Sequence, residues 1–143
     1  SLDWHLLEHP LHKGAQSLVR DLNGLYRSIP ALHEIDFEPE GFEWIDWRDH
    51  DNSVFSWIRR DRQGEFVVCV ANFTPVIRYD YVVGVPAGGN YREVLNTDSE
   101  LYGGSNCGNF GRIVASDEKS QERPFSLRLT LPPLSTLVLR PDH

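Results

Sequence analysis

The sequence has little positive charge and no long apolar run. Lysine and arginine number 14 against 21 aspartates and glutamates, which gives a net charge of −7. Because nucleic acids and anionic membranes are held by basic faces, this balance argues against both as partners. No segment has the length and apolarity of a signal peptide or a membrane span, so a cytoplasmic location is the default expectation. A neutral ligand is compatible with the charge, although the charge does not select one.

Sulfur-containing residues are also scarce, since the chain has two cysteines and no methionine. Cys69 lies in the apolar run 66–70 and is expected to be a buried small hydrophobe, whereas Cys107 lies in a glycine-rich stretch. One bridge would be a thin framework for a secreted domain of this size, so we expect free thiols and a reducing compartment. The chain begins at Ser1 directly in apolar sequence, which we interpret as a piece cut from a longer protein.

The chain does contain enough apolar material for a packed core. Hydrophobic residues make up 40% of its 143 residues, and they include four tryptophans and seven phenylalanines. A chain of this length buries roughly 68–70% of the surface of its unfolded form. Apolar side chains recur at three- and four-residue spacing over 12–28, which predicts a helix that ends before Pro30. So short a helix is marginal alone, and its apolar stripe must pack on another element.

From about residue 36 the apolar period changes to two, which predicts short strands. The predicted strands are 42–46, 53–59, 65–72, 79–83, 91–96, 125–131 and 134–140, with a long loop rich in glycine and serine over 97–124. Residues 61–64 are the predicted turn of a hairpin. Pro132-Pro133 cannot lie inside a central strand. The pattern predicts a mainly β fold, an antiparallel β-sandwich, with the helix preceding it.

Three groups of residues invite a chemical interpretation, and none of them supports one. The acidic residues between 36 and 51 are interpreted as solvated loop charges rather than a catalytic carboxylate pair. His9 and His12 fit no zinc-binding spacing. The glycine-rich stretch 102–111 lacks the Lys-Ser/Thr that follows a phosphate-binding loop, and glycine turns explain it better. We therefore predict no catalytic residue, no metal site and no cofactor.

Trp44 is the candidate ligand-binding residue of the sequence. Phe42 and Trp44 are two residues apart on a predicted strand, so they share one face. Glu43 and Asp46 flank this tryptophan with carboxylates that accept hydrogen bonds from hydroxyl groups. Core packing is the competing interpretation for Trp44, as it is for Trp57 on the next strand. If the chain touches a ligand, we predict that Trp44, Glu43 and Asp46 make the contact.

The chain resembles bacterial 1,4-α-glucan (glycogen) branching enzymes over essentially its whole length. Nine short motifs carry the resemblance, in order and at similar spacing: Ser1-Leu-Asp-Trp-His-Leu-Leu7, Leu18-Val-Arg-Asp-Leu-Asn23, Pro30-Ala-Leu-His33, Gly41-Phe-Glu-Trp44, Asn72-Phe-Thr-Pro75, Val83-Gly-Val-Pro86, Glu93-Val-Leu-Asn-Thr-Asp98, Tyr102-Gly-Gly-Ser105 and Leu129-Thr-Leu-Pro-Pro-Leu134. Each motif alone is a weak signal, but nine in order are a strong one.

The resemblance implies both a layout and an activity. Residues 1–32 would be the last helical part of a catalytic (β/α)₈ barrel, and residues 33–143 the carboxyl-terminal β-sandwich of the α-amylase superfamily. The parent would cleave an α-1,4 glucan and pass the cleaved chain to a 6-hydroxyl of an acceptor glucan, through an Asp nucleophile and a Glu acid/base. None of the motifs that carry those catalytic residues is present in this sequence. Alone, the chain is therefore expected to be non-catalytic.

The expected partners are α-1,4 glucan and the rest of the catalytic barrel, and three hypotheses describe what the chain does with them. It is a fragment of a branching enzyme that is inactive alone, a carbohydrate-binding module with an affinity of its own, or a purely structural cap on the barrel. The last two differ in whether the β-domain binds glucan, which the sequence leaves open.

Overall fold

The structure, a computed structural model, describes residues 17, 20–21, 23–24, 27–32, 41–46, 53–98, 108–109 and 111–142. A 3₁₀ turn, Pro30–Leu32, comes before the first strand. Eight strands follow within the described ranges: β1 (Phe42–Asp46), β2 (Val54–Arg60), β3 (Phe66–Asn72), β4 (Arg78–Val85), β5 (Gly89–Asn96), β6 (Arg112–Ala115), β7 (Phe125–Leu131) and β8 (Ser135–Pro141).

The strands form two antiparallel sheets. The larger sheet has the order β1-β2-β3-β8-β5-β6, and the smaller sheet pairs β4 with β7. Because side chains alternate along a strand, every second residue of the larger sheet points towards the smaller one. The inner core between the sheets contains the largest buried cluster: Ile45, Val54, Ile58, Val68, Val70, Val83, Val85, Tyr91, Leu127, Leu129, Leu131, Leu137 and Leu139. The predicted mainly β, antiparallel fold is confirmed.

The prediction of an unbroken loop over 97–124 is wrong at β6. Arg112–Ala115 pair with β5 and form an edge of the larger sheet. Three of its four residues are apolar, and Ile113 and Ala115 pack half-buried against the inner core while Arg112 and Val114 are exposed. An apolar run of only three residues is too short to predict a strand by itself, and the pairing with β5 defines it. Two predicted strands also prove longer, since β4 spans Arg78–Val85 and β5 begins at Gly89, whereas β8 is shifted by one residue to Ser135–Pro141.

A smaller cluster packs on the outer face of the larger sheet. Ile29 and Ala31 are buried there against side chains of β3, β5 and β8. The N–H of Leu32 donates to the Ile29 carbonyl at 3.0 Å, and the Arg59 guanidinium donates to the Leu32 carbonyl at 3.3 Å. The segment around the 3₁₀ turn is therefore fastened to the sheet by both apolar contacts and hydrogen bonds.

The described residues that precede this turn agree with the predicted helix over 12–28. Every described position between 17 and 28 is helical: Ser17, Arg20, Asp21, Asn23, Gly24, Arg27 and Ser28. The predicted start of the helix lies outside the described residues. Its origin as a barrel remnant and the domain boundary between 32 and 33 remain predictions. Within the described ranges, no helix is long and apolar enough to cross a membrane.

Asn72 fixes the connection between β3 and β4. Its buried side chain donates to the carbonyls of Val76 and Pro132 at 3.0 and 2.9 Å. Its Oδ1 accepts the backbone N–H of Thr74 at 3.0 Å and the hydroxyl of Thr74 at 2.6 Å. Both ends of the amide are thus satisfied inside the fold. The tight turn leaves the intervening residue, Phe73, exposed at the surface.

Candidate functional site

Trp44 lies at the surface, on strand β1. This strand forms one edge of the larger sheet as described, and Trp44 pairs with Trp57 of β2. Residues that are paired in a ladder share a face, so Trp44 belongs to the outer face of the sheet. Its side chain is 46% exposed. Trp44 is therefore outside the inner core and partly exposed to solvent in the part of the chain that the structure describes.

Other aromatic rings support this tryptophan. Phe42 approaches it edge-on at 5.1 Å between ring centroids, and Trp57 does so at 6.1 Å. Phe55 lies at 6.5 Å from Trp44 and in turn at 5.7 Å from Phe73. Edge-to-face and tilted arrangements at these distances are favourable for aromatic pairs. The three rings Trp44, Phe55 and Phe73 are called the aromatic row below.

Glu43 leaves the opposite face of β1. It pairs with Ile58, whose side chain belongs to the inner core. Its carboxylate forms an ion pair with Arg60 at 3.4 Å and a second, closer one with Arg123. Partial burial alone would raise the pKa of Glu43, but the Arg123 hydrogen bond and the charges of both guanidiniums lower that pKa below its ordinary value. Glu43 is thus an ionised carboxylate held between two cations.

Arg123 connects this strand to a turn on the other side of the sandwich. Besides Glu43, its guanidinium reaches the backbone carbonyl of Trp44 at 3.1 Å. Ser120 and Arg123 exchange backbone hydrogen bonds of 2.9 and 3.0 Å, which closes the turn. Only 14% of the Arg123 side chain is exposed. The backbone that carries Trp44 is therefore fixed by a residue 79 positions away along the chain.

The turn is itself anchored to β4. The Gln121 amide accepts the N–H of Gly84 and donates to the carbonyl of Val82 at 3.3 Å. A side chain at Gly84 has no room, because a Cβ there would lie 2.1 Å from the Ser120 carbonyl oxygen. Close approach of the turn to β4 thus requires glycine at this position.

An open groove of about 610 Å³ separates β1 from this turn. Its lining comes from two segments: Glu43, Trp44, Ile45 and Asp46 on one side, and Gln121, Glu122 and Arg123 on the other. A bulge between Trp44 and Asp46 breaks the regular pairing of β1 with β2. The carboxylates of Glu43, Asp46 and Glu122 line the groove, and carboxylate oxygens accept hydrogen bonds from hydroxyl groups. Among the described residues, no group of three or more His, Cys, Asp or Glu side chains is placed to hold a metal ion.

Residues 44–142 match the family described as "Alpha amylase, C-terminal all-beta domain". The chain belongs to this family. The match extends from Trp44 to the end of the described sandwich and includes every strand from β2 onwards.

Similar proteins are found among bacterial 1,4-α-glucan branching enzymes. The chain is 57% identical over 141 residues to "1,4-alpha-glucan branching enzyme GlgB" of Aquifex aeolicus. The aligned region covers 98% of this chain and 22% of that protein. It is 59% identical to the same-named enzyme of Rubrobacter xylanophilus and 56% identical to that of Cupriavidus necator, with 19% of each covered. The chain thus spans about a fifth of the length of these relatives. The resemblance seen in the sequence is confirmed.

The structure brings the three predicted site residues to one groove but separates their side chains. Trp44 belongs to the outer face, whereas Glu43 faces the inner side and is engaged by Arg60 and Arg123. Asp46 lines the same groove beyond the bulge. Sequence reasoning did not find Arg123, because it lies in the stretch taken as a loop and contacts Glu43 from 80 positions away. No local pattern signals such a pair.

Other sequence predictions have simpler outcomes. Cys69 is buried and free, as expected, and burial raises the pKa of its thiol to about 12. It therefore stays protonated and unreactive. Trp57 is half-buried and packs against the outer cluster. Cys107, His9 and His12 lie outside the described residues.

Proposed function

We propose that this chain is the carboxyl-terminal β-domain of a 1,4-α-glucan branching enzyme. In this role it stabilises a catalytic barrel and contacts α-1,4 glucan at Trp44, without catalysing a reaction by itself. The observation that carries the proposal is an indole that is 46% exposed on a ring-supported surface, in a chain more than 50% identical to enzymes of that name. The parent enzyme would transfer an α-1,4 glucan segment to a 6-hydroxyl and so form a branch, in the cytoplasm and with no cofactor from this domain.

The geometry supports a path for the glucan over the edge of the larger sheet. A glucose ring stacks its apolar face on the Trp44 indole, on the outer side of β1. The neighbouring sugar then crosses the edge strand, and its hydroxyls meet the carboxylates of Glu43 and Asp46 in the groove. Because Arg123 holds the Trp44 carbonyl and Glu43 together, both sides of this path have a fixed spacing.

The strength of this contact can be estimated from area. A glucose ring stacked on an indole hides on the order of 80 Å² of apolar surface, which contributes about 2 kcal/mol. A millimolar complex requires about 4 kcal/mol. A contact at Trp44 alone is therefore weak, and its contribution in the parent enzyme depends on other contacts along the same polymer.

A titration of the chain with maltoheptaose, followed by the amide chemical shifts in NMR spectra, tests the proposed contact. We expect weak saturable binding and an affinity about tenfold lower in Trp44→Ala, which corresponds to about 1.4 kcal/mol. The unfolding temperature of the variant should stay close to that of the unsubstituted 143-residue chain, because Trp44 is half-exposed. Trp57→Phe is the matched control, since it keeps an aromatic ring in the outer cluster. If Trp44→Ala binds maltoheptaose as tightly as the unsubstituted chain, or if the substitution strongly destabilises the fold, the proposal that Trp44 contacts glucan is contradicted.

Incubation with amylose tests the non-catalytic role. The chain alone should neither shorten nor branch amylose, since the sequence motifs that carry the family's catalytic carboxylates are absent. Iodine absorption spectra and debranching analysis measure both reactions. Turnover that persists through purification and is abolished by substitutions in this chain would contradict the proposal.

A stand-alone structural or carbohydrate-binding module is the second candidate. The observation that favours it is the inner core, which both sheets complete with residues of this chain. A sandwich with its own core does not need a barrel to bury its apolar side chains. Binding of maltoheptaose separates the two forms of this candidate, because a purely structural module shows none.

A further inference from the structure

The aromatic row ends at a second exposed ring. Phe73 is 61% exposed, more than Trp44, and directly follows the last residue of β3. Phe55 lies between them, 6.5 Å from Trp44 and 5.7 Å from Phe73. Each step is on the scale of one sugar ring. The surface that begins at Trp44 therefore continues beyond the groove.

Sheet geometry explains why these rings form a line. Trp44 pairs with Trp57, and Phe55 is two residues before Trp57 on β2. Phe55 in turn pairs with Ala71, and Phe73 is two residues beyond Ala71. Residues two apart share a face, and diagonal neighbours on adjacent strands remain within reach of aromatic side chains. The row thus runs diagonally over the outer face from β1 to the end of β3.

We propose that Phe73 is a second sugar-stacking residue, so that the aromatic row binds an extended stretch of α-glucan rather than a single glucose unit. This inference rests on the proposed contact at Trp44. Two weak platforms joined by one polymer act together, since the second contact forms at high effective concentration once the first has formed. The site therefore discriminates by chain length, and oligosaccharides too short to span the row lose the contribution of Phe73.

Charge and shape favour a neutral polysaccharide on this row. Its exposed members are aromatic rings, which present flat apolar faces, and its Trp44 end meets the carboxylates of the groove. The chain as a whole carries a net charge of −7, which disfavours an anionic polymer. Exposed aliphatic residues lie beyond the other end: Val76, Ile77 and Leu134. They would suit a protein surface, and a second copy of this chain is the alternative occupant that the experiment examines.

The experiment compares two ligand lengths on the 143-residue chain and four variants. Amide chemical shifts are followed by NMR during titration with maltose and with maltoheptaose, since both interactions are weak. Phe73→Ala removes the second platform, Phe73→Trp keeps a ring there, and Trp44→Ala removes the first. Tyr79→Ala is the control, because Tyr79 is 70% exposed but lies on β4 in the other sheet. Sedimentation velocity of each variant measures self-association, and unperturbed spectra show that each is folded.

We expect Phe73→Ala to weaken maltoheptaose binding about tenfold while maltose, whose two sugar rings are too short to span the row, changes in affinity by less than about twofold. Phe73→Trp should keep the preference for the longer ligand, and Tyr79→Ala should leave both affinities unchanged. If Trp44→Ala weakens binding and Phe73→Ala does not, this inference is overturned and the proposed function stands. If the chain binds neither ligand, both this inference and the proposed glucan contact at Trp44 are contradicted. Loss of self-association in Phe73→Ala, with glucan binding intact, assigns the row to a second copy instead.

Discussion

The two faces of the larger sheet are made by the same strands but solve different problems. On β2, Val54 and Ile58 point into the sandwich and are fully buried, whereas Phe55 and Trp57 between them are only half-buried. On the inner face, apolar side chains are covered by a second sheet. On the outer face, the cover is partial, and rings contact one another instead. Large aromatic residues on a half-covered face can contact a ligand. Side chains on the inner face cannot, because the second sheet covers them.

Truncation at neighbouring positions of β2 provides the strongest test of this contrast. Ile58→Ala should lower the free energy of unfolding by roughly 2–5 kcal/mol, because the position is fully buried and a cavity remains. Phe55→Ala removes a larger side chain but should cost about 1 kcal/mol, since solvent already reaches it. Urea unfolding measures both. Equal losses would show that the outer face is as tightly packed as the inner one.

Asn72 tests the polar end of the inner face. Asn72→Ala should cost roughly 1–3 kcal/mol, because its buried amide satisfies two carbonyls and the turn at Thr74. Thr74→Ala removes one of these bonds and leaves the others, so its loss should be smaller. Thermal unfolding of the two variants ranks them. If Thr74→Ala is the more damaging change, the turn rather than the amide holds this connection.

The smallest expected effect concerns the ion pairs of Glu43 with Arg60 and Arg123. The pKa of Glu43 is lowered on folding, so its charge stabilises the fold at pH values above the ordinary value of 4.5, and this stabilisation is lost as the pH falls through the folded pKa. Glu43→Gln should therefore be less stable than the parent chain near neutrality, and the difference should shrink below about pH 4.

The control for this pH dependence is Glu118→Gln, because the ion pair of Glu118 with Arg128 is more exposed on both sides. Its unfolding free energy should follow that of the parent chain more closely over the same pH range. A difference between Glu43→Gln and the parent that does not depend on pH would exclude a titrating role for Glu43.

Local patterns predicted most of the strands, while features made by distant pairing were missed. Short stretches rich in apolar residues, such as the unbroken run 66–71 of β3, marked every described strand except β6 in the sequence. β6 has only the short apolar run 113–115, and its pairing with β5 through backbone hydrogen bonds defines it as a strand. The spacing of Phe42 and Trp44 predicted a shared face but not whether that face is covered. Whether this face is covered depends on which strands lie over it. In the same way, the contact between Arg123 and Glu43 depends on the fold of the 120–123 turn.

The bulge between Trp44 and Asp46 also affects how this sheet meets other chains. An outermost strand with regular spacing offers unpaired amides to any extended peptide, which is a common start of aggregation. A bulge twists such a strand and interrupts the row of donors and acceptors. The bulge beside the proposed sugar contact therefore makes the pairing of β1 with a strand of another chain less favourable.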